Sequence, residues 1–146
     1  MELLIVMSII AIITAIGLVS YAPINRRSRD AKRKSDLEQV RSALEMYRTD
    51  NGQYPLGTLG AFQTLQYAEL HLDTLLVPTY LPSLPSDPKG TKYYYYANIV
   101  SGNFYSYCLC AGVENAAEGK NDCGRAASQA ITNDTTFAAA YCLRNP

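Results

Sequence analysis

Side chains suited to catalysis are scarce in this chain of 146 residues, which has no tryptophan and a single histidine, His71. His71 lies among leucines without a neighbouring aspartate or serine, so we expect it on the surface or at a helix cap. This scarcity disfavours metalloenzymes and histidine-dependent hydrolases, and we predict a protein that is not an enzyme and needs no cofactor. Lysine plus arginine and aspartate plus glutamate number 13 each, which disfavours nucleic-acid binding through bulk positive charge.

Charged residues are also absent from a long N-terminal run, Leu3 to Ile24. A helix of this length spans about 33 Å, which exceeds a bilayer core of about 30 Å. An apolar span with a basic flank is typical of a transmembrane helix whose basic end lies in the cytoplasm. A signal peptide is disfavoured, because the run is too long, the basic residues follow it and no small-residue cleavage site is present. The basic flank consists of Arg26, Arg27, Arg29, Lys32, Arg33 and Lys34.

The acidic residue Glu2 stands directly before the apolar run and complicates this membrane interpretation. A carboxylate beside hydrocarbon is costly unless it is paired, so an acid in this place is a candidate functional group. The alternative is that Glu2 is the last polar residue before the span and lies among lipid headgroups. The charge pattern alone leaves both interpretations open.

A second, amphipathic helical pattern runs from Asn25 to Asp50. Asn51 and Gly52 predict its end, and Pro55 follows. Charges fill the face opposite the apolar one, so we expect the apolar face to carry the contact with the rest of the chain. The apolar residues at helical spacing are Leu37, Val40, Ala43, Leu44 and Tyr47.

The charges of the two parts of the chain differ in sign. Eight basic and four acidic residues lie between Arg26 and Arg48, whereas five basic and eight acidic residues follow from Thr49 onward. This segregation favours either contacts between the basic stem of one subunit and the acidic head of another, or a solvated helix face. Weak contact of the basic cluster with DNA phosphates or lipid headgroups is a further alternative.

The remaining chain predicts a short helix between Phe62 and Val77 and then a proline-rich connection, followed by a β-hairpin with strands at 92–99 and 104–111. A third strand at 139–144 completes a small sheet. The period of two places Cys108 and Cys110 on one face of the second strand, opposite Tyr107 and Leu109. We attribute the twelve tyrosines to sheet packing and subunit contact. The predicted fold class is α+β, with a long N-terminal helix packed against a small antiparallel β-sheet head.

Two motifs at the ends of the long helix carry a resemblance to a known family. Glu2-Leu3-Leu4-Ile5-Val6 opens the apolar helix, and Met-Tyr-Arg-Thr-Asp-Asn-Gly-Gln-Tyr-Pro closes the amphipathic one at 46–55. Together they resemble type IV pilins and type II secretion pseudopilins. The run 80–90, Tyr-Leu-Pro-Ser-Leu-Pro-Ser-Asp-Pro-Lys-Gly, is similar to the loop after the helix in major pseudopilins. Family members lose a leader and then typically begin Phe-Thr-Leu-Ile-Glu-Leu, so we expect a few more residues before Met1, with a methylated N-terminal amine.

The resemblance implies a subunit of a helical homopolymer that is anchored in the membrane before assembly. It implies an assembly or transmembrane helix at 1–25, an amphipathic helix at 26–52, a connecting region at 53–91 and a disulfide-bonded sheet region at 92–146. Glu2 would pair with the cationic N-terminus of a neighbouring subunit. Leu3, Leu4, Ile5 and Val6 would pack beside it, and the helix from Gly17 to Pro23 would melt in the filament.

The predicted function is a type IV pilus subunit that supports adhesion, twitching motility or DNA uptake. The alternative is a major pseudopilin of a type II secretion system, and an alternative of another class is a single-pass membrane-anchored binding or sensor protein. The implied partners are further copies of the chain, an inner-membrane assembly platform, a prepilin peptidase and cytoplasmic ATPases. The implied locations are a cell-surface filament and, for the unassembled subunit, the inner membrane.

The four cysteines, Cys108, Cys110, Cys123 and Cys142, are expected to form two disulfides, as is typical of small exported domains. Of the three pairings we favour Cys110–Cys123 with Cys108–Cys142, which would close the loop at 112–122 and fix the C-terminus. We predict no metal site. Zinc at the cysteines is disfavoured by their spacing, and calcium at Asp87, Asp122 and Asp134 by the lack of a compact run of oxygen ligands.

Overall fold

One continuous helix, α1 (Glu2–Asn51), joins the two predicted helical segments into a rod of 50 residues. Its end follows from the backbone of Gly52, which has φ +75° and whose N–H donates to the carbonyl of Arg48 at 2.8 Å. Glycine adopts this left-handed conformation without steric cost, so the helix stops there. The predicted end at Asn51 and Gly52 is confirmed.

The computed structural model describes residues 2–55, 63–64, 72–91, 93–100, 103–123 and 138–145. The side chains of residues 17–22, 63–64, 98–100 and 103–105 lie outside this description. The predictions for His71 and Asp134 also lie outside it. The short helix predicted between Phe62 and Val77 is confirmed as α2 (Leu72–Leu76).

The described part of the chain contributes five strands to one sheet, and a 3₁₀ turn (Ala116–Glu118) precedes the fourth. The strands are β1 (Gln63–Thr64), β2 (Tyr94–Val100), β3 (Asn103–Val113), β4 (Lys120–Asn121) and β5 (Ala139–Arg144). They lie in the order β1-β2-β3-β5-β4, and the neighbours are antiparallel, except that β4 pairs with β5 in parallel. The α+β fold class, the hairpin and the predicted third strand, β5, are therefore confirmed, whereas the short strands β1 and β4 were not predicted.

The hydrophobic core lies between the C-terminal half of α1 and one face of the sheet. Leu37, Val40 and Leu44 of α1 are fully buried, as are Tyr95 and Leu109 of the sheet. These helix positions are the ones that the apolar periodicity predicted. Burial of this face attaches the head to α1, because apolar area removed from water contributes about 25 cal/mol per Å².

Tyrosines supply much of this core. This agrees with the prediction that the abundant tyrosines pack in the sheet. The rings of Tyr54 and Tyr107 meet edge to face with centroids 4.6 Å apart, and both hydroxyls donate to the carboxylate of Glu45, at 2.9 and 3.1 Å. The Tyr95 hydroxyl donates to the carbonyl of Pro55 at 3.0 Å. Burial raises the pKa of Tyr95 and of Tyr107. Each ring therefore fills the core while its hydroxyl keeps a partner.

The two disulfides join Cys108 to Cys123 and Cys110 to Cys142. The favoured pairing of Cys110 with Cys123 and Cys108 with Cys142 is therefore wrong. The strand register explains the error, because Cys110 stands directly opposite Cys142 in the β3–β5 ladder. The parallel pairing of β4 with β5 then brings Cys123, two residues beyond β4, level with Cys108. The sequence alone could not decide which cysteines pair, because it does not show which residue of β5 lies opposite Cys110.

Double substitutions test this pairing. Replacing Cys108 and Cys123 together with alanine should leave no free thiol, because Cys110 and Cys142 remain bonded. Replacing Cys110 and Cys123 should leave two free thiols, one from each broken bridge. Thiol labelling of the denatured, unreduced variants distinguishes the outcomes, and the reverse labelling pattern would contradict the observed pairing. Loss of a bridge that closes a loop of this size should cost about 3 kcal/mol.

Candidate functional site

The N-terminal part of α1, residues 3–16, is apolar and projects beyond the head. Its large aliphatic side chains are exposed, from 51% at Val6 to 78% at Leu3. Exposure of this extent on a helix that is apolar around its circumference is unfavourable in water, because such helices are normally buried on all sides. We call this part of α1 the apolar stalk.

The polar side chains within the apolar stalk are satisfied by the helix itself. The Ser8 hydroxyl donates to the carbonyl of Ile5 at 2.7 Å, and the Thr14 hydroxyl donates to the carbonyl of Ile10 at 2.6 Å. Polar groups bonded in this way do not require water. The stalk can therefore enter an apolar environment without leaving these hydroxyls unpaired.

Glu2 begins α1, directly before Leu3, Leu4, Ile5 and Val6, and all five predicted assembly residues are exposed. The structure thus places them together at the tip of the stalk, farthest from the head. A carboxylate in the first helical turn interacts favourably with the helix dipole. This carboxylate is accessible to a partner from outside the chain.

The helix is unbroken at the two predicted melting residues, Gly17 and Pro23. Pro23 is exposed and has no backbone N–H to donate, which weakens the helical ladder at this point. Within the described side chains, no helical stretch combines the length and the hydropathy that crossing a membrane requires. The predicted transmembrane segment at 1–25 includes residues 17–22, whose side chains lie outside the description.

A buried cluster of charges joins the middle of α1 to the head, with Arg33 at its centre. The Arg33 side chain is fully buried and donates to Asp30 at 2.6 Å, to Asp87 at 2.5 Å and to Glu114 at 3.1 Å. Glu114 also accepts from Arg29 at 2.6 Å and from Lys89 at 3.0 Å. We call these residues the Arg33 cluster. It contains three basic and three acidic side chains, which balance one another.

Backbone groups hold the acids of the Arg33 cluster in place. Asp30 accepts the N–H groups of Glu114 and Asn115, both at 3.0 Å, which fixes the end of β3 against α1. Asp87 accepts the N–H of Lys89 at 2.7 Å, which fixes the proline-rich connection. Three segments that are distant in sequence therefore meet at one arginine. The cluster sets the orientation of the head on the helix.

Acid should weaken the Arg33 cluster. The hydrogen bond from Arg29, together with those from Lys89 and Arg33, holds the pKa of Glu114 far below its ordinary value of 4.5. Burial raises the pKa of Asp87, but hydrogen bonds from Arg33 and from backbone N–H groups outweigh this effect and lower it below 3.8. A carboxyl whose pKa is lower in the folded state stabilises the fold above its unfolded pKa, and this contribution is lost as the pH falls.

We therefore expect the free energy of unfolding to be nearly constant from pH 8 to about pH 5 and to fall below about pH 4. Urea titrations across this range measure it. The Glu114→Gln variant should be less stable at neutral pH and should lose less stability on acidification. An equally steep fall in that variant would exclude Glu114 as a source of the acid sensitivity.

The structure corrects the interpretation of the basic flank. Arg29 and Arg33 pair with acids of the head of the same chain, and Lys34 pairs with Glu118 at 2.5 Å. These three residues therefore fit neither of the two alternatives, a contact with the acidic head of another subunit or a solvated helix face. The flank residues that stay exposed are Arg26, Arg27 and Lys32. The signal in the sequence was Asp30 within the basic run, three residues before Arg33, on one helix face.

The two candidate calcium ligands among the described residues, Asp87 and Asp122, are engaged in other contacts. Asp87 is buried against Arg33, and Asp122 pairs with Lys120 at 2.6 Å. These two carboxylates therefore belong to separate ion pairs and do not converge on one point.

Comparison with known proteins shows where this architecture belongs. Residues 22–126 match the family described as Type II secretion system (T2SS), protein G. The chain belongs to the type II secretion protein G family. This family is a branch of the pilin and pseudopilin group, which the motifs at the two ends of α1 resemble. The matched residues include the whole Arg33 cluster and begin after the apolar stalk.

Curated relatives of the chain are also named as protein G of this secretion system. The type II secretion system core protein G of Pseudomonas aeruginosa is 29% identical over 126 residues, which cover 84% of this chain and 89% of the relative. That of Klebsiella pneumoniae is 28% identical over 95 residues, which cover 64% of this chain and 68% of the relative. That of Pectobacterium carotovorum is 26% identical over 95 residues and 61% of its length. No solved structure matches the chain.

Proposed function

We propose that the protein is a structural subunit of a type II secretion system, a pseudopilin that assembles into a short periplasmic filament from the inner membrane. The observation that carries this proposal is an exposed apolar stalk on a chain that matches protein G of this system. The match favours the secretion alternative over the predicted surface pilus, for which adhesion, twitching motility and DNA uptake were expected.

The apolar stalk holds the subunit in the filament in this proposal. Exposing one large aliphatic side chain to water costs about 1.5–3 kcal/mol, so a stalk packed among other stalks does not return to water. The stalk exposes several, among them Ile9, Ile10, Ile12 and Ile13. Exchanging lipid for neighbouring stalks keeps these side chains out of water and adds close packing. Head-to-tail contacts of this kind do not close on themselves, so they generate an open helical filament.

Glu2 sets the axial register in this proposal. Packed among apolar stalks, its carboxylate is stable only with a positive partner. The cationic N-terminus of the preceding subunit is such a partner, as the family resemblance implies. Each added subunit then stops where the two charges meet.

The Arg33 cluster supports the second requirement of a filament subunit, a head that moves with its helix. Asp30, Asp87 and Glu114 converge on Arg33 from α1, the proline-rich connection and the residue directly after β3. A displacement of α1 during assembly is therefore transmitted to the head as one body. The partners in this proposal are further copies of the chain and the secretion machinery, with the platform, peptidase and ATPases that the resemblance implies.

The segment from Gly17 to Pro23 adjusts the helix length in the proposed filament. It is helical in this subunit, but Pro23 leaves one carbonyl of the preceding turn without its helical donor. Glycine adds backbone freedom at the other end. Loss of the intervening hydrogen bonds would lengthen the stalk without disturbing the head, since the Arg33 cluster begins at Arg29.

Deletion of the gene tests the proposal. We expect substrates of the secretion system to accumulate in the periplasm, and we expect complementation by the wild-type chain to restore their release. The measurement compares secreted and periplasmic enzyme activity, together with electron microscopy of sheared surface filaments. Normal secretion with loss of surface filaments would contradict the proposal and favour a type IV pilus.

A further inference from the structure

The four cysteine sulfurs form one compact cluster on the face of the sheet opposite α1. All four Sγ atoms lie within 4.8 Å of one another. The Sγ atoms of Cys108 and Cys110 are 3.6 Å apart although they belong to different bridges. Cys108, Cys110 and Cys142 are buried, and Cys123 is half-buried. The two disulfides are therefore one four-sulfur site rather than two separate crosslinks.

We propose that the head binds one zinc ion through these four cysteines when both disulfides are reduced. Zinc with four thiolates is tetrahedral with Zn–S distances of about 2.3 Å, which places the sulfurs about 3.8 Å apart. The separation of 3.6 Å between the Cys108 and Cys110 sulfurs already matches one edge of that tetrahedron. The two bonded pairs move apart from the disulfide bond length of about 2 Å to this spacing once they are reduced. None of the other sulfur separations exceeds it by more than about 1 Å.

The strand arrangement explains how poorly spaced cysteines make a four-ligand site. Cys108 and Cys110 point to one face of β3, and Cys142 stands opposite Cys110 on β5. Cys123 follows β4, the parallel neighbour of β5. The sheet thus positions three ligands, and the turn after β4 supplies the fourth. This convergence depends on the register of three strands, which the linear spacing does not show.

The surroundings fit a zinc–thiolate centre, which carries two net negative charges. Arg144 stands opposite Cys108 in the β3–β5 ladder and supplies a compensating positive charge. Arg144 also lines a cavity of about 220 Å³ together with Tyr96, Cys108 and Cys123. This cavity reaches two of the ligands from the surface and gives an ion a path to the site.

Reduction of the two disulfides requires a reductant, and a dithiol can supply the electrons and protons. Each bridge accepts two electrons and two protons from one dithiol, which becomes a cyclic disulfide, and two cysteine thiols result. Zinc then displaces the four thiol protons as it binds. In the reverse direction, two molecules of a disulfide oxidant each take two electrons from a pair of thiolates and two protons from water, leave as dithiols, and restore the two bridges as the ion is released. Zinc would therefore hold the sheet together in the reduced chain and give way to the disulfides in the oxidised one.

Cobalt(II) binding to the full-length chain in detergent tests the proposal under anaerobic reduction. We expect one cobalt per chain with thiolate-to-metal charge transfer and tetrahedral visible bands, and displacement by one equivalent of zinc. Cys123→Ser should weaken binding about a hundredfold, because it removes one of the four thiolate ligands. Ser106→Ala, which changes the cavity wall and keeps all four thiols, should bind as the wild type does.

A thermal melt of the reduced chain provides a second readout. Zinc should raise its melting temperature and should leave that of the oxidised chain unchanged. A reduced chain that binds no cobalt, including one that unfolds on reduction, would overturn the proposal. Equal affinity of the Cys123→Ser variant and the wild type would also overturn it. Neither result bears on secretion, which the deletion experiment tests separately.

Discussion

Replacing Arg33 with methionine is expected to lower the free energy of unfolding by about 3–5 kcal/mol. Methionine retains much of the side-chain volume but leaves Asp30, Asp87 and Glu114 facing one another without their central partner. Arg33 is fully buried, and the Asp30 and Asp87 side chains with which it pairs are 0% and 1% exposed. Uncompensated buried carboxylates carry a large desolvation penalty, and their mutual repulsion adds to it.

A second arginine of the same helix is the matched control. Arg41 pairs with Glu38 at 3.5 Å, with 29% and 51% of the two side chains exposed. Exposed pairs of this kind contribute at most about 1 kcal/mol. Arg41→Met should therefore change stability little. Equal effects of Arg33→Met and Arg41→Met, measured by urea unfolding of the full-length chain at pH 7, would show that the Arg33 cluster does not orient the head.

Replacing Glu2 with glutamine is expected to abolish filament growth while leaving the stability of the head unchanged. The substitution preserves size and polarity but removes the charge that the proposed partner requires. Removing one member of a buried ion pair costs about 3–5 kcal/mol, and in a filament this penalty applies at every subunit interface. Glu2 is exposed at the tip of the stalk, so its substitution should leave the packing of the head intact.

The measurement combines electron microscopy of filaments from an overproducing strain with a protease-resistance assay of the membrane-bound subunit. Glu38→Gln is the control, since Glu38 is an exposed acid farther along the same helix. The control should assemble as the wild type does. Normal fibres from the Glu2→Gln variant would contradict the role of this carboxylate.

The elements of this fold were readable from the sequence where the signal is local. Leu37, Val40 and Leu44 recur at helical spacing, and Gly52 terminates the helix through its own backbone. The hairpin and the strand at Ala139–Arg144 were also correctly predicted, because residues of high β-propensity alternate there between turn residues. The residues predicted to act in assembly at the tip of the stalk are contiguous in the sequence, and their role stays a prediction.

The features that depend on contacts between residues far apart in the chain could not be predicted from the sequence. Arg33 meets Asp87 and Glu114 across 54 and 81 residues, so no window of the sequence contains the Arg33 cluster. The disulfide pairing was wrong for the same reason, since it depends on which residue of β5 stands opposite Cys110. Strand β4, two residues long, has too few residues to show a period of two.

The charge pattern could not distinguish its alternatives, because ion pairs within one chain and ion pairs between chains have the same composition. Arg29, Arg33 and Lys34 join a basic helix to an acidic head, as the segregation of charge suggested, but the head is their own. Burial distinguishes the two cases, and burial follows only from the packed structure.

Cryo-electron microscopy of filaments assembled from the full-length chain tests the central claim most directly. We predict that residues 3–16 of neighbouring subunits pack against one another along the filament axis, with helix axes about 8–10 Å apart. Stalks that lie apart in the reconstruction, each covered separately by lipid or detergent, would contradict it.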